Sequence, residues 1–218
     1  MQRMLSILSL GLAMAASNVA IADDDMHMYE VTVTNGSTAH VLTPPAIIAH
    51  NSKFSVFMVG QAASEQLATQ AETGNPAPLL HSASESRGVK GTAAGGGVIL
   101  PGHSATISIE VKGKRPMFTV TSMLASTNDA FIAVKNMRMH GGKHSKNALV
   151  YDAGSEANNE SCHYIPGPPC GNPDQMRDTE NAEGFVSFHK GIKGIADLDA
   201  NTYDWRGPIA TVSIKRMY

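Results

Sequence analysis

The chain has 218 residues, with 17 Lys and Arg against 19 Asp and Glu, for a formal net charge of −2. That balance argues against a nucleic-acid binder, which normally carries a basic surface. Beyond the N-terminal run, no segment approaches the ~20 apolar residues that a spanning helix needs.

Residues 1–22 read as an export leader. Arg3 supplies the positive start, 5–16 form a short apolar run, and Ala20-Ile21-Ala22 places small residues at a cleavage site. Cleavage is expected after Ala22. Residues 23–218 then form one domain in the periplasm or outside the cell, opening on a solvated Asp23-Asp24-Asp25, with no transmembrane segment. That length suits a single all-β domain.

Short alternating segments dominate the mature chain. Tyr29, Val31 and Val33 share one face of a strand predicted over 29–34, and a further strand is expected over 54–59. A helix follows from about 64 to 72, with Ser64 as N-cap, Leu67, Ala68 and Ala71 as its buried stripe, and Thr73-Gly74-Asn75-Pro76 ending it. Gly95-Gly96-Gly97 lacks the following helix that a phosphate-cradling loop requires, so it reads as a plain turn. Ile107, Ile109 and Val111 alternate with polar residues, as do Phe118 and Val120. Strands are also expected over 130–134, 148–151, 185–189 and 209–215. The sum is an antiparallel β-sandwich of about eight strands with one short helix.

The two cysteines, Cys162 and Cys170, enclose a loop rich in Pro and Gly, which favours a tight turn. In an oxidising compartment they are expected to form a disulfide. Their spacing fits neither a Cys-x-x-Cys redox pair nor a zinc ribbon. There is no Gly-x-Ser-x-Gly elbow and no His-Glu-x-x-His. His189 reads as a sheet histidine rather than a base, and Trp205 as a core residue, with an exposed stacking ring as the sharper alternative. The chain is therefore expected to bind rather than to catalyse.

The segments between strands carry a resemblance. Val59-Gly60-Gln61-Ala62-Ala63-Ser64-Glu65, Ser126-Thr127-Asn128-Asp129-Ala130-Phe131 and Tyr151-Asp152-Ala153-Gly154-Ser155-Glu156 occur in that order. Ile165-Pro166-Gly167-Pro168, Glu183-Gly184-Phe185-Val186-Ser187-Phe188-His189 and Asp204-Trp205-Arg206-Gly207-Pro208 follow. Together they resemble the spondin N-terminal domain in its bacterial secreted form. The resemblance implies a C2-like sandwich, adhesion or recognition of an extracellular or cell-surface ligand, and a bound calcium ion as in the animal members.

Calcium takes 6–8 hard oxygen ligands. Asp129 and Asp152 lie beside predicted strands in the two most family-like loops, with Glu156 and Asn128 as further donors; ordinary turn chemistry is the competing account of the same residues. A second metal chemistry is soft. Met137, Met139, His140 and His144 offer thioether and imidazole ligands suited to copper in a periplasmic metal-handling protein. Against it, methionines commonly fill core gaps, and Arg138, Lys143 and Lys146 beside the loop disfavour a cation.

Overall fold

The structure is a computed structural model that describes residues 25–172 and 176–217. The expected leader, its cleavage site and the expected Asp23 start fall outside the described residues.

Nine strands and three short helices run in the order β1 (Met26–Asn35), β2 (Ala46–His50), α1 (Glu65–Thr73), α2 (Ala77–Ser84), β3 (Val89–Ala94), β4 (Ser104–Lys112), β5 (Met117–Met123), β6 (Ala130–Arg138), β7 (Lys143–Asp152), β8 (Ser187–Phe188), α3 (Ala200–Tyr203) and β9 (Ala210–Arg216). The strand path is β3-β2-β5-β6-β7-β9-β1-β4, with β8 paired to β7, and every pairing is antiparallel. The path folds into a sandwich because β7 changes partner along its length. Lys143 to Ala148 pair with β9, whereas Leu149 to Asp152 pair with β6. The two edge strands approach at the far side, where Gly91 lies so close to the backbone of Glu110 that a β-carbon would not fit. The sandwich is thus nearly closed into a barrel.

The core follows from the alternation. Tyr29, Val31 and Val33 are buried against Phe118, Val120, Ile132, Val212 and Ile214 between the two sheets. A second cluster lies on the outer face of the β2-β5-β6 sheet. There Ala46, Ile48, Phe131, Ala133 and Tyr151 meet Leu67 and Ala71 of α1 and Leu79 of α2. The molecule therefore has three layers: helices, sheet and sheet.

Among the described residues, three helices form, not one. Ser64 caps α1 as expected, accepting from the Leu67 N–H at 3.2 Å, and Gly74 closes it at φ 74°. The unexpected α2 starts on prolines, which its first turn tolerates, and buries only Leu79 and Ala83. In α3, Asp199 accepts from the Asn201 N–H. The strand expected over 54–59 does not form. Val56 and Phe57 are both buried although adjacent, so period two fails, and Lys135 Nζ donates to the Phe57 carbonyl at 2.6 Å. β8 covers two residues rather than 185–189.

Cys162 and Cys170 are joined, with Cα atoms 4.8 Å apart. Their loop holds Ile165 in a small cluster with Ile192 and Leu198. Trp205 packs half-buried between this cluster and the main core, its ring near those of His40 and His189.

Candidate functional site

The turn from β5 to β6 is tied by its own side chains. Thr127 Oγ1 donates to the Leu124 carbonyl at 2.7 Å and accepts from the Ala130 N–H at 3.1 Å. This fixes Asp129 at the head of β6, fully buried. Antiparallel register places Ala130 opposite Asp152, and the Ala153 N–H donates to the Asp129 carbonyl at 3.2 Å. Two carboxyls from distant parts of the chain thereby arrive side by side.

Each is held by the loop after β7. Asp129 Oδ2 accepts from the Ser155 N–H at 2.7 Å, the Glu156 N–H at 3.0 Å and Ser155 Oγ at 3.1 Å. Asp152 Oδ1 accepts from the Gly154 N–H at 2.6 Å, and its Oδ2 from Asn158 Nδ2 at 2.7 Å. Gly154 must be glycine: φ is 66°, and a β-carbon would strike the backbone of Phe185. Asn158 also donates to Glu183 Oε1 at 3.0 Å and accepts from His189 Nε2 at 3.0 Å. His189 Nδ1 accepts from the Gly191 N–H, so the ring is neutral with its proton on Nε2. Burial first, then nearby positive charge, pushes its pKa down to about 4. Sequence reasoning placed His189 as a sheet histidine; it lies just past β8 and serves this network.

The electrostatics are unusual. Asp129 is pushed up to about 7, first by burial and then by repulsion from Asp152, although three N–H and O–H donors oppose the shift. Asp152 is raised by burial and by Glu183. Glu156 is pushed up to about 8 by burial, with Glu72 and Asp129 adding repulsion that Arg177 only partly offsets. Arg177 sits 2.6 Å from Glu72 and 3.7 Å from Glu156. Two oxygens here, Asp129 Oδ1 and Glu156 Oε2, are buried and accept from no N–H or hydroxyl donor, while the protonated Asp129 carboxyl hydrogen-bonds Asp152. A cavity of about 90 Å³ opens beside Asp152, lined by Asn158, Glu160, Glu183 and His189 among others.

The structure thus brings Asp129 and Asp152 together and sets the Glu156 amide on Asp129, while the Glu156 carboxyl turns toward Arg177 and Glu72. Asn128 faces the next loop, with Oδ1 accepting from the Glu160 N–H at 3.3 Å and Nδ2 donating to Asn159 at 3.2 Å. No set of three or more His, Cys, Asp or Glu is posed as a metal site among the described residues. Glu183, Asn158, Glu72 and Arg177 join the site without having been singled out as members of it. They come from four separate segments, and only Glu183 lay in a segment that carried the resemblance.

The soft-ligand residues lie at the other end of β6. Met137 and Met139 are buried in the sandwich core, while His140 and His144 have ring centroids 6.4 Å apart outside it.

The sequence profile of the Spondin_N family matches residues 43–181, and the chain belongs to that family. The match includes Asp129, Asp152, Glu156 and both cysteines. No curated protein matches the chain.

Proposed function

We propose that the protein is a non-catalytic recognition module of the Spondin_N family, working outside the cytoplasm, with a calcium ion held at its acidic end by Asp129 and Asp152. The observation that supports this is the pair of buried, donor-less oxygens, Asp129 Oδ1 and Glu156 Oε2, in a cluster of carboxyls. Burying carboxylates without a partner is costly, so these carboxyls hold their protons, and a hard cation would take the protons' place among hard oxygens from clustered loops. Asp129 and Asp152 would supply the first two ligands, whereas the Glu156 carboxyl, turned toward Arg177 and Glu72, and Asn128 Oδ1, bonded to the Glu160 N–H, would have to reorient to join them. The ion would neutralise repulsion and lock the loops after β5 and β7, and those ordered loops would present the surface that meets a cell-surface or extracellular ligand. The leader and the Cys162–Cys170 bridge support an oxidising, extracytoplasmic setting.

The copper alternative has weaker support. Met139 is committed to the core, and Arg138 and Lys146 line the same shallow cleft as Met137, His140 and His144. Thermal melts decide the calcium reading. Millimolar Ca²⁺ should raise the Tm over that in chelator, by the equivalent of ~2.7 kcal/mol at a hundredfold excess over Kd. Mg²⁺ should do less, and Asp129→Asn or Asp152→Asn should abolish most of the rise. A Tm indifferent to calcium overturns the site.

A further inference from the structure

The end of the sandwich opposite the carboxyl cluster carries the reverse charge. The Gly113 N–H donates to the Asp25 carbonyl at 2.8 Å, laying the β4–β5 turn against the start of β1. The Met139 N–H donates to the Pro116 carbonyl at 3.2 Å, joining that turn to the β6–β7 hairpin. The Arg216 N–H donates to the Gly142 carbonyl at 3.3 Å and the Met217 N–H to the Met28 carbonyl at 2.8 Å, so the end of β9 joins them. The turn contributes Lys112, Lys114 and Arg115. The hairpin contributes Arg138, Lys143 and Lys146, and β9 contributes Lys215 and Arg216. All of these side chains are exposed. β2 ends at the same place, with His50 opposite Met117 and Lys53 in the turn beyond. Among the described residues, the acids nearby are fewer. Asp25 pairs with Lys114 at 3.3 Å and with His27 at 2.8 Å, Glu30 lies opposite Lys215, and Glu110 lies opposite Met28. Charge is therefore unevenly spread in a chain of net charge −2: one end of β6 is basic, and the other, roughly 30 Å away along a strand of that length, holds the carboxyl cluster with Arg177, Lys190 and Lys193 beside it.

The basic end also has a receptacle. β6 and β7 pair only from 130 to 133 and from 149 to 152. Asn136, at φ 52°, turns β6 aside while β7 leaves to pair with β9. The gap between them is a cleft of about 290 Å³, lined by Arg138 and Lys146 together with Asn136, His140, His144 and Ser145. Arg138 and Lys146 bring a guanidinium and an ammonium to this one cleft, while Ser145 Oγ is engaged with Ser213 Oγ at 2.9 Å. That is the chemistry of an oxyanion site, and its two fixed cations repel a metal ion.

We propose that this end binds an acidic polysaccharide, with one carboxylate or sulfate in the β6–β7 cleft and successive anionic groups of the same chain on Lys143, Lys215 and the β4–β5 turn. Cations spread over three turns match a repeating polyanion better than a single small anion. The tips, Gly113-Lys114-Arg115 and His140-Gly141-Gly142-Lys143, carry no apolar side chain to enter a bilayer. This inference goes beyond the calcium reading and does not rest on it.

The test measures binding of the protein to immobilised heparin and to dextran sulfate at 0.15 M NaCl. Neutral dextran and phosphatidylcholine vesicles containing phosphatidylglycerol run alongside. Both sulfated glycans should bind, and 1 M NaCl should release them, since the contact is a salt-sensitive counterion exchange. The triple variant Arg138→Ala, Lys143→Ala, Lys146→Ala should bind roughly a hundredfold more weakly, at about fivefold per cation. The triple Lys190→Ala, Lys193→Ala, Arg206→Ala removes the same charge elsewhere and should stay within about twofold of the wild type. All six positions are exposed, and an unchanged Tm excludes misfolding. Chelator should leave glycan binding intact, which separates failure here from failure of the calcium site. No binding to either glycan, an equal loss in both triples, or capture by vesicles without capture by glycan overturns the proposal.

Discussion

Without a cation, the raised carboxyls should destabilise the protein as pH climbs toward 8, while buried neutral His189, its pKa held at about 4, works in the opposite direction below pH 6.5. A carboxyl whose pKa in the folded chain stands above its unfolded value binds its proton more tightly when native. Its contribution is present in full below the unfolded value and is lost as pH rises through the folded one. For Asp129 that window runs from 3.8 to about 7, and for Glu156 from 4.5 to about 8. At ~1.4 kcal/mol per pKa unit, ionising Asp129 costs at most about 4 kcal/mol. In a domain of this size that corresponds to roughly 10 °C in Tm. The assay is a series of melts in chelator from pH 5 to pH 8, repeated with calcium. Asp129→Asn preserves a side-chain oxygen to accept the Ser155 and Glu156 N–H groups but cannot ionise. It should flatten much of the slope and raise the Tm at pH 8 in chelator. In the wild type, calcium should abolish the fall, because the ionised carboxyls then gain a partner. A wild-type Tm in chelator that does not fall from pH 6.5 to pH 8, where the histidines no longer oppose it, or an Asp129→Asn slope equal to the wild type's, refutes the account of strained carboxyls.

Three further outcomes are expected. Phe131→Ala, which empties a fully buried ring site between Phe57 and Tyr151, should cost about 3–5 kcal/mol in urea unfolding. Ser64→Ala removes the acceptor that caps α1 and should cost about 1 kcal/mol with no change in far-UV strand signal. Replacing Cys162 and Cys170 together with Ser opens a loop of sequence separation 8 and should cost about 2–3 kcal/mol, read as a lower urea midpoint that reductant no longer changes.

The strands with one wet face were legible. β1 and β4 alternate cleanly because only one side of each meets the core. β2 is buried throughout, since its inner face meets the opposite sheet and its outer face the helices, so Ala46 to His50 show no period two. After Val89 and Lys90, β3 runs through Gly91, Thr92, Ala93 and Ala94; Gly91 passes close against the Glu110 backbone of β4, and small residues give little pattern. The single-helix expectation failed at α2 because prolines occupy its first turn and its buried face is only two residues wide. In the site, Asp129 and Asp152 were legible through the blocks of sequence around them. The ring of groups that tunes them was not. Asn158, Glu72 and Arg177 reach the carboxyls only through folding, and no spacing along the chain encodes that convergence.

The partner exchange of β7 also has a mechanical meaning. One strand carries His144 and Lys146 near its first end and Asp152 at its last, and is hydrogen-bonded along the way to β9, β6 and β8. A pull between the basic and acidic ends would therefore load this strand along its axis. The resisting hydrogen bonds in both sheets lie across that direction and must shear together rather than unzip singly. The sheets cannot part without stripping this shared strand from one of them, a whole ladder at a time.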